Sequence, residues 1–181
     1  MKKINFLVVL LIVAFGFFGC ATTSNSTRAD RRSGEGRFIE KAGKFSIKIP
    51  EAWETAEFPG LQYNVLVGPA EDGFTPNINF ADEAFDGPLN TYVDAVIEQL
   101  KNLLGENVKV LQRDGFATAK NLQGEKIVIN SFQQGRHFQQ TIYCFPGNGK
   151  KILVTCTASA EADESYAALF DDTAKTFEWI N

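Results

Sequence analysis

Hydrophobic and polar positions alternate through residues 44–49, KFSIKI, which puts Phe45, Ile47 and Ile49 on one face of a strand that Pro50 ends. The stretches LQYNVLV at 61–67 and NINFA at 77–81 predict two further strands. The period then changes. In LNTYVDAVIEQLKNLLG, residues 89–105, Tyr92, Val93, Val96, Ile97, Leu100, Leu103 and Leu104 recur at steps of three and four, the spacing of an amphipathic helix that starts near Pro88 and closes at Gly105. Strands resume at 107–117, 126–132, 136–145 and 151–157, with Asp114-Gly115, Gln123-Gly124 and Pro146-Gly147-Asn148-Gly149 as turn residues among and between them. Loops this short imply antiparallel pairing. A second helix closes the chain, with Tyr166, Leu169, Phe170, Thr173, Ala174 and Phe177 as its stripe and Ser159 or Asp163 as its cap. The pattern predicts an α+β domain over residues 44–181, an antiparallel β-sheet flanked by two main α-helices.

The N-terminus has a different pattern. Lys2 and Lys3 precede 13 residues, Phe6 to Phe18, with no polar side chain, the arrangement of a secretory signal. A membrane-spanning helix needs roughly 20 such residues, so this run is too short to cross. At its end stand Gly19 and Cys20, and the chain turns polar at once in ATTSN. A cysteine after a small residue at this point resembles the lipobox of bacterial lipoproteins, with Phe17 where Leu is usual. The resemblance implies a signal peptide over 1–19 and a mature chain beginning at Cys20, whose thiol would carry a diacylglycerol and whose amine a further acyl chain such as palmitate. Cleavage after Ala21, giving an unanchored secreted protein, is a competing reading, as is an uncleaved or non-functional segment. Each buried methylene of a lipid contributes about 0.8 kcal/mol, so two or three chains would hold the protein at the membrane of a cell envelope.

Residues 21–43 are rich in Ser, Thr, Gly and charge and nearly free of large apolar side chains, so residues 20–43 read as a lipidated N-terminus and flexible tether. Charge divides sharply along the chain. Residues 21–44 carry six basic and three acidic side chains, whereas residues from 45 onward carry 10 basic and 19 acidic ones. A basic stem suits an anionic leaflet, or merely keeps a linker solvated. The acidic body argues against a nucleic-acid partner, because affinity for phosphate backbones comes mainly from Lys and Arg.

Candidate chemistry is sparse. His137 is the only histidine, which excludes a two-His metal site, and its place beside Gln134-Gly135 reads as a strand-end surface residue. There is no nucleophile elbow, phosphate-binding loop or dinucleotide fingerprint. The adjacent carboxylates Asp171 and Asp172 read as a solvated helix face. The sequence therefore implies no enzyme, no metal and no cofactor. Cys144 and Cys156 invite a disulfide in an exported protein, but a loop over 146–149 sets Phe145 opposite Lys150 and Cys156 opposite Gln139, about 17 Å along the strand from Cys144. Bridged Cα atoms lie within about 7 Å, so the thiols are expected buried and free. Two acidic loops, GPAEDGFTP at 68–76 and FADEAFDGPL at 80–89, bear Phe74 and Phe85 as candidate partner contacts, unless both rings fold back on the core.

The order FSIKIPEAW, NINF, YVDAVIEQL, TIYCFPGNGKKILVTCTAS and FDDTAKTFEW resembles the PsbP-like and DcrB-like superfamily over about residues 43–181. Ile49, Pro50 and Trp53 match its strand-end Pro and following Trp, and Phe170 and Phe177 match its closing-helix core. The resemblance implies an antiparallel sheet with helices packed on it and a role in docking onto other macromolecules, without a shared chemistry. The expected function is a membrane-anchored, non-enzymatic envelope lipoprotein that binds or scaffolds another envelope protein. The alternative is a carrier of a lipid or small hydrophobic ligand between sheet and helices.

Overall fold

The computed structural model describes residues 36–180, without the side chains of residues 163 and 164. The expected signal segment over 1–19, the lipid-attachment residue Cys20 and residues 21–35 of the tether lie outside the described residues. Strand pairing begins earlier than the hydrophobic pattern predicts. Arg37–Glu40 (β1), expected within the tether, pairs antiparallel with Phe45–Lys48 (β2), with Phe38 opposite Ile47. Its charged flanks hide a single inward ring: Phe38 is buried and stacks on Phe80 at 5.4 Å. The folded domain therefore includes residues 36–43, ahead of the boundary expected at 44.

Beyond β2 come Glu54–Ala56 (β3), Val65–Val67 (β4) and Asn77–Ala84 (β5). The strand expected over 61–67 shortens to β4 because Gln62 and Tyr63 turn aside to bond Asp82, each at 2.8 Å. Leu89–Leu104 (α1) follows, then Val108–Ala117 (β6), Gln123–Gln133 (β7), Arg136–Gly147 (β8) and Lys150–Ser159 (β9). Asp163–Lys175 (α2) and Glu178–Trp179 (β10) end the fold. A seven-stranded antiparallel sheet runs β3-β4-β5-β9-β8-β7-β6, and a three-stranded one runs β1-β2-β10. Asp114-Gly115 and Gln123-Gly124 are strand residues and not turns; the chain reverses between them, where Asn121 takes a φ of 61°.

The β8–β9 hairpin corrects the expected register. Its loop is two residues, Asn148 and Gly149, at φ 53° and 71°, and this pair of positive angles fits the right-handed twist of the strands. Pro146 continues β8 beyond Cys144, the last residue paired with β7, where a missing N–H breaks no ladder on that side. Phe145 therefore faces Ile152, and Cys156 faces Thr141.

Side chains alternate across these two strands and feed two cores. Tyr143, Phe145, Ile152, Val154 and Cys156 join Phe38, Phe45, Ile47, Phe170 and Phe177 under α2 and the small sheet. Ile142, Cys144 and Leu153 join Tyr92, Val93, Val96 and Leu100 under α1. The stripe of α1 is as expected except at Leu103, which is 63 % exposed. Tyr92 lies on the same angular side of the helix, but there Phe85 walls it in at 5.2 Å, whereas Leu103 stays open to solvent. Neither expected cap closes α2: Ala162 holds the N-cap position with no side-chain cap bond, and Ser159 Oγ accepts the Glu161 amide at 3.4 Å. Phe177 is buried just past the helix end, on the link to β10.

Candidate functional site

Pro50 stops β2, and Ala52, at φ 63°, turns the chain so that the Trp53 amide bonds Pro50 O at 3.2 Å. This turn throws the Trp53 indole inward, edge-on to Phe170 at 6.2 Å. Gly68, just past β4, lets it lie there: a Cβ on that residue would stand 2.7 Å from the ring. Beside the indole opens a cleft of about 420 Å3 lined by Trp53, Pro69, Tyr166 and Leu169, with the carboxylates of Glu51 and Glu71 among them.

Glu71 is held firmly by its own loop. Its backbone pairs with Phe74 in both directions, at 2.8 and 2.9 Å, and the Phe74 ring is buried against Phe138 at 5.0 Å. Arg136 adds Nη1 bonds to the carbonyls of Asp72 and Gly73, at 3.4 and 3.1 Å. From the opposite wall the Tyr166 hydroxyl reaches Glu71; burial first, and that hydrogen bond second, push its pKa up to about 12. Apolar walls and two carboxylates suit a docking segment with an apolar stem and a cationic head. The lining contains neither histidine nor cysteine.

The structure scatters the residues singled out in the sequence. Phe74 is a correction: at 6 % exposure it is the anchor of the 68–76 loop and presents no surface to a partner. Phe85 is half-buried against Tyr92, with Lys151 Nζ 5.6 Å from its ring centroid. Phe138 and Lys151, which hold these two rings, pair with or sit at positions 159 and 151 of β9, about 26 Å apart along the strand, so the two rings do not share a surface. His137 is exposed at the start of β8, its ring 4.7 Å from that of Phe132.

Asp171 also departs from the expectation of a solvated face. It accepts Tyr143 Oη at 2.5 Å and Lys126 Nζ at 2.6 Å, while Asp172 stays exposed and bonds Lys175. Cys144 and Cys156 are free and buried. They belong to opposite faces of the sheet, and Thr141, opposite Cys156, stands three positions from Cys144, about 10 Å along the strand, closer than the expected register had it but still beyond bridging distance. Burial pushes both thiols well above the usual range. Among the described residues no group of three or more His, Cys, Asp or Glu is placed to hold a metal, and no helix is long and apolar enough to cross a membrane.

The cleft itself escaped the sequence reading. Trp53 was legible only as a core position of the fold, Tyr166 and Leu169 only as part of a helical stripe, and Glu71 only as one charge in an acidic loop. Nothing local joins residues 51, 71 and 166.

No family model matches the chain, and no curated protein matches it. Solved structures do. The cyanobacterial PsbP protein CyanoP of Synechocystis superposes with a TM-score of 0.60 at 12% identity, over 82% of this chain and 95% of its own. LpqN, described as involved in cell envelope biogenesis of Mycobacterium tuberculosis, gives 0.58 at 14% identity, over 76% and 83%. The Ran-binding protein Mog1p of Saccharomyces cerevisiae gives 0.56 at 13% identity, over 80% and 95%. At such identities the likeness speaks to the architecture alone, and the chain has the α+β fold of PsbP-like proteins.

Proposed function

We propose that this is an envelope protein held at a membrane through an acylated Cys20, and that its α+β domain docks onto another envelope protein without chemistry of its own. The observation that carries the docking half is the cleft between Trp53 and Tyr166, where the edge of a largely buried indole, a tyrosine, a leucine and two carboxylates line about 420 Å3 of space. Aromatic side chains in partly covered pockets are the usual anchors of protein interfaces. The anchoring half is supported by the apolar run ending at Gly19-Cys20. LpqN, involved in cell envelope biogenesis, and the Ran-binding Mog1p share the architecture.

A carrier needs room between sheet and helices. That layer is filled here: Phe45 stacks on Phe177 at 5.8 Å, Phe177 on Phe145 at 4.7 Å, and Phe80 lies against Phe45 at 5.1 Å. This packing favours docking over carriage, and native mass spectrometry of the purified protein should show no co-purified lipid inside the domain. Crosslinking in intact envelopes followed by pull-down should retain a specific partner, lost in the Glu51→Gln/Glu71→Gln variant at an unchanged unfolding midpoint. Equal capture by that variant would move the contact elsewhere, and the absence of any specific partner would end the docking reading. An unmodified thiol at the start of the mature chain would end the anchoring one.

A further inference from the structure

We infer that the cleft between Trp53 and Tyr166 receives this chain's own arginine-rich segment, Arg28 to Arg32, which thereby covers the docking surface from within the same molecule. The inference rests on the cleft being a docking surface, but not on the identity of any partner. Three observations carry it.

The first is where the described chain begins. The Ile49 amide donates to Gly36 O at 2.6 Å, so residue 36 lies against the strand end that leads directly into the cleft wall. Glu51 is two residues past Ile49, about 8 Å of chain. Arg32 and Arg31 precede Gly36 by four and five residues, a span of about 14 to 17 Å when extended, before the length of the side chains is added. Extended, the segment is therefore long enough to bring the arginines to Glu51, on the near side of the cleft.

The second is charge. Glu51 and Glu71 line the cleft, and exposed Glu54, Asp72 and Glu161 flank the lining residues in sequence. On the cationic side, Lys48 is exposed beside the cleft turn, and Arg136 is held on the carbonyls of Asp72 and Gly73. The carboxylates thus outnumber the cations here. Within RADRR at 28–32 three arginines meet one aspartate.

The third is the chemistry of the walls. A guanidinium is weakly hydrated and planar; it stacks on indole and phenol faces and forks onto carboxylates. The cleft places Trp53 and Tyr166 next to Glu71 and Glu51. A lysine-rich segment would gain less from the same walls.

The consequence is regulatory. An arginine stretch can occupy the cleft or leave it for another anion, so a partner must displace the segment or arrive when it is engaged elsewhere. The test needs no partner. The purified mature chain is exposed to trypsin, and cleavage after Arg28, Arg31 and Arg32 is followed by intact mass. Cleavage here tracks the undocked population, and Glu51→Gln/Glu71→Gln should accelerate it by about fivefold, with no change in the unfolding midpoint. In the unaltered chain, raising NaCl to about 0.5 M should accelerate it as well, because screening weakens exposed ion pairs. In parallel, the Arg28→Gln/Arg31→Gln/Arg32→Gln variant should leave the Trp53 indole more open to acrylamide quenching. Equal cleavage rates in the unaltered chain and the carboxylate variant would overturn the inference. So would indole quenching unchanged by loss of the arginines. Either failure leaves the docking of an external partner to be judged separately by the pull-down.

Discussion

The Tyr143 hydroxyl donates a 2.5 Å hydrogen bond to Asp171 Oδ1, joining the middle of the large sheet to α2. Tyr143 is fully buried, and the same carboxylate takes Lys126 Nζ at 2.6 Å from β7. Asp171→Ala would strand a buried hydroxyl and a half-buried ammonium together. It should cost about 1–3 kcal/mol in urea unfolding, the penalty for a polar group left without its partner. Asp172→Ala, one residue on and exposed, should leave the midpoint where it was.

Acid should loosen the small sheet first. Glu178 of β10 accepts Ser46 Oγ at 3.0 Å, pairs with Arg37 Nη2 at 2.9 Å and also pairs with Lys120. The Lys120 bond foremost holds its pKa below the ordinary 4.5. A carboxyl with a depressed folded-state pKa contributes its stability above the unfolded value and loses it as pH falls through the folded one. The unaltered protein should therefore lose stability below about pH 4.5 more steeply than Glu178→Gln, as measured by denaturant midpoints across that range.

Glu83 should behave in the opposite sense. Burial raises its pKa above the ordinary 4.5, opposed by a hydrogen bond from Tyr92, and one carboxylate oxygen has no partner. The fold favours its neutral form, so stability falls as pH rises from the ordinary value through the raised one and stays low at neutral pH. Glu83→Gln should be more stable than the unaltered protein at pH 7, with the difference closing near pH 4. A variant less stable at pH 7 would refute this account.

Both core thiols should resist reagents. Cys144 and Cys156 are fully buried on opposite sheet faces, with pKa values driven up by desolvation. Titration with an aromatic disulfide reagent should detect neither thiol in the native protein and both in denaturant, and oxidants should not join them.

Phe74→Ser should act on folding before it acts on any partner. The ring fixes the loop that carries Glu71, and its loss from the Phe138 contact should cost about 3 kcal/mol by thermal or urea unfolding. Loss of partner capture by this variant would therefore say little about where a partner sits, whereas Glu51→Gln/Glu71→Gln reads the cleft directly.

Much of the architecture was written locally. The stripe from Tyr92 to Leu104 with Pro88 before it and Gly105 after it is enough to define α1, and VTCTAS beside TIYCF is enough to define a buried hairpin. The register of that hairpin was not, because Pro146 suggested a loop where Asn148-Gly149 alone makes the turn. β1 was hidden since only Phe38 of RFIE points inward, and β10 since two residues have no period. The cleft was least legible of all: the contact of Glu71 with Tyr166 joins residues 95 positions apart, and no local rule brings them together.

The position of β1 determines how the domain would bear mechanical load. Any pull transmitted along the chain from residues before Gly36 arrives at four residue pairs between β1 and β2. Arg37 rivets that junction, bonding Ser46 Oγ, Thr176 O and Glu178 within the first strand turn. A tug is thus shared at once among β2, β10 and the end of α2. Yielding there would unseat Phe38 from Phe80 and bare the underside of the aromatic layer, while the larger sheet, bound through its own ladders, kept its shape.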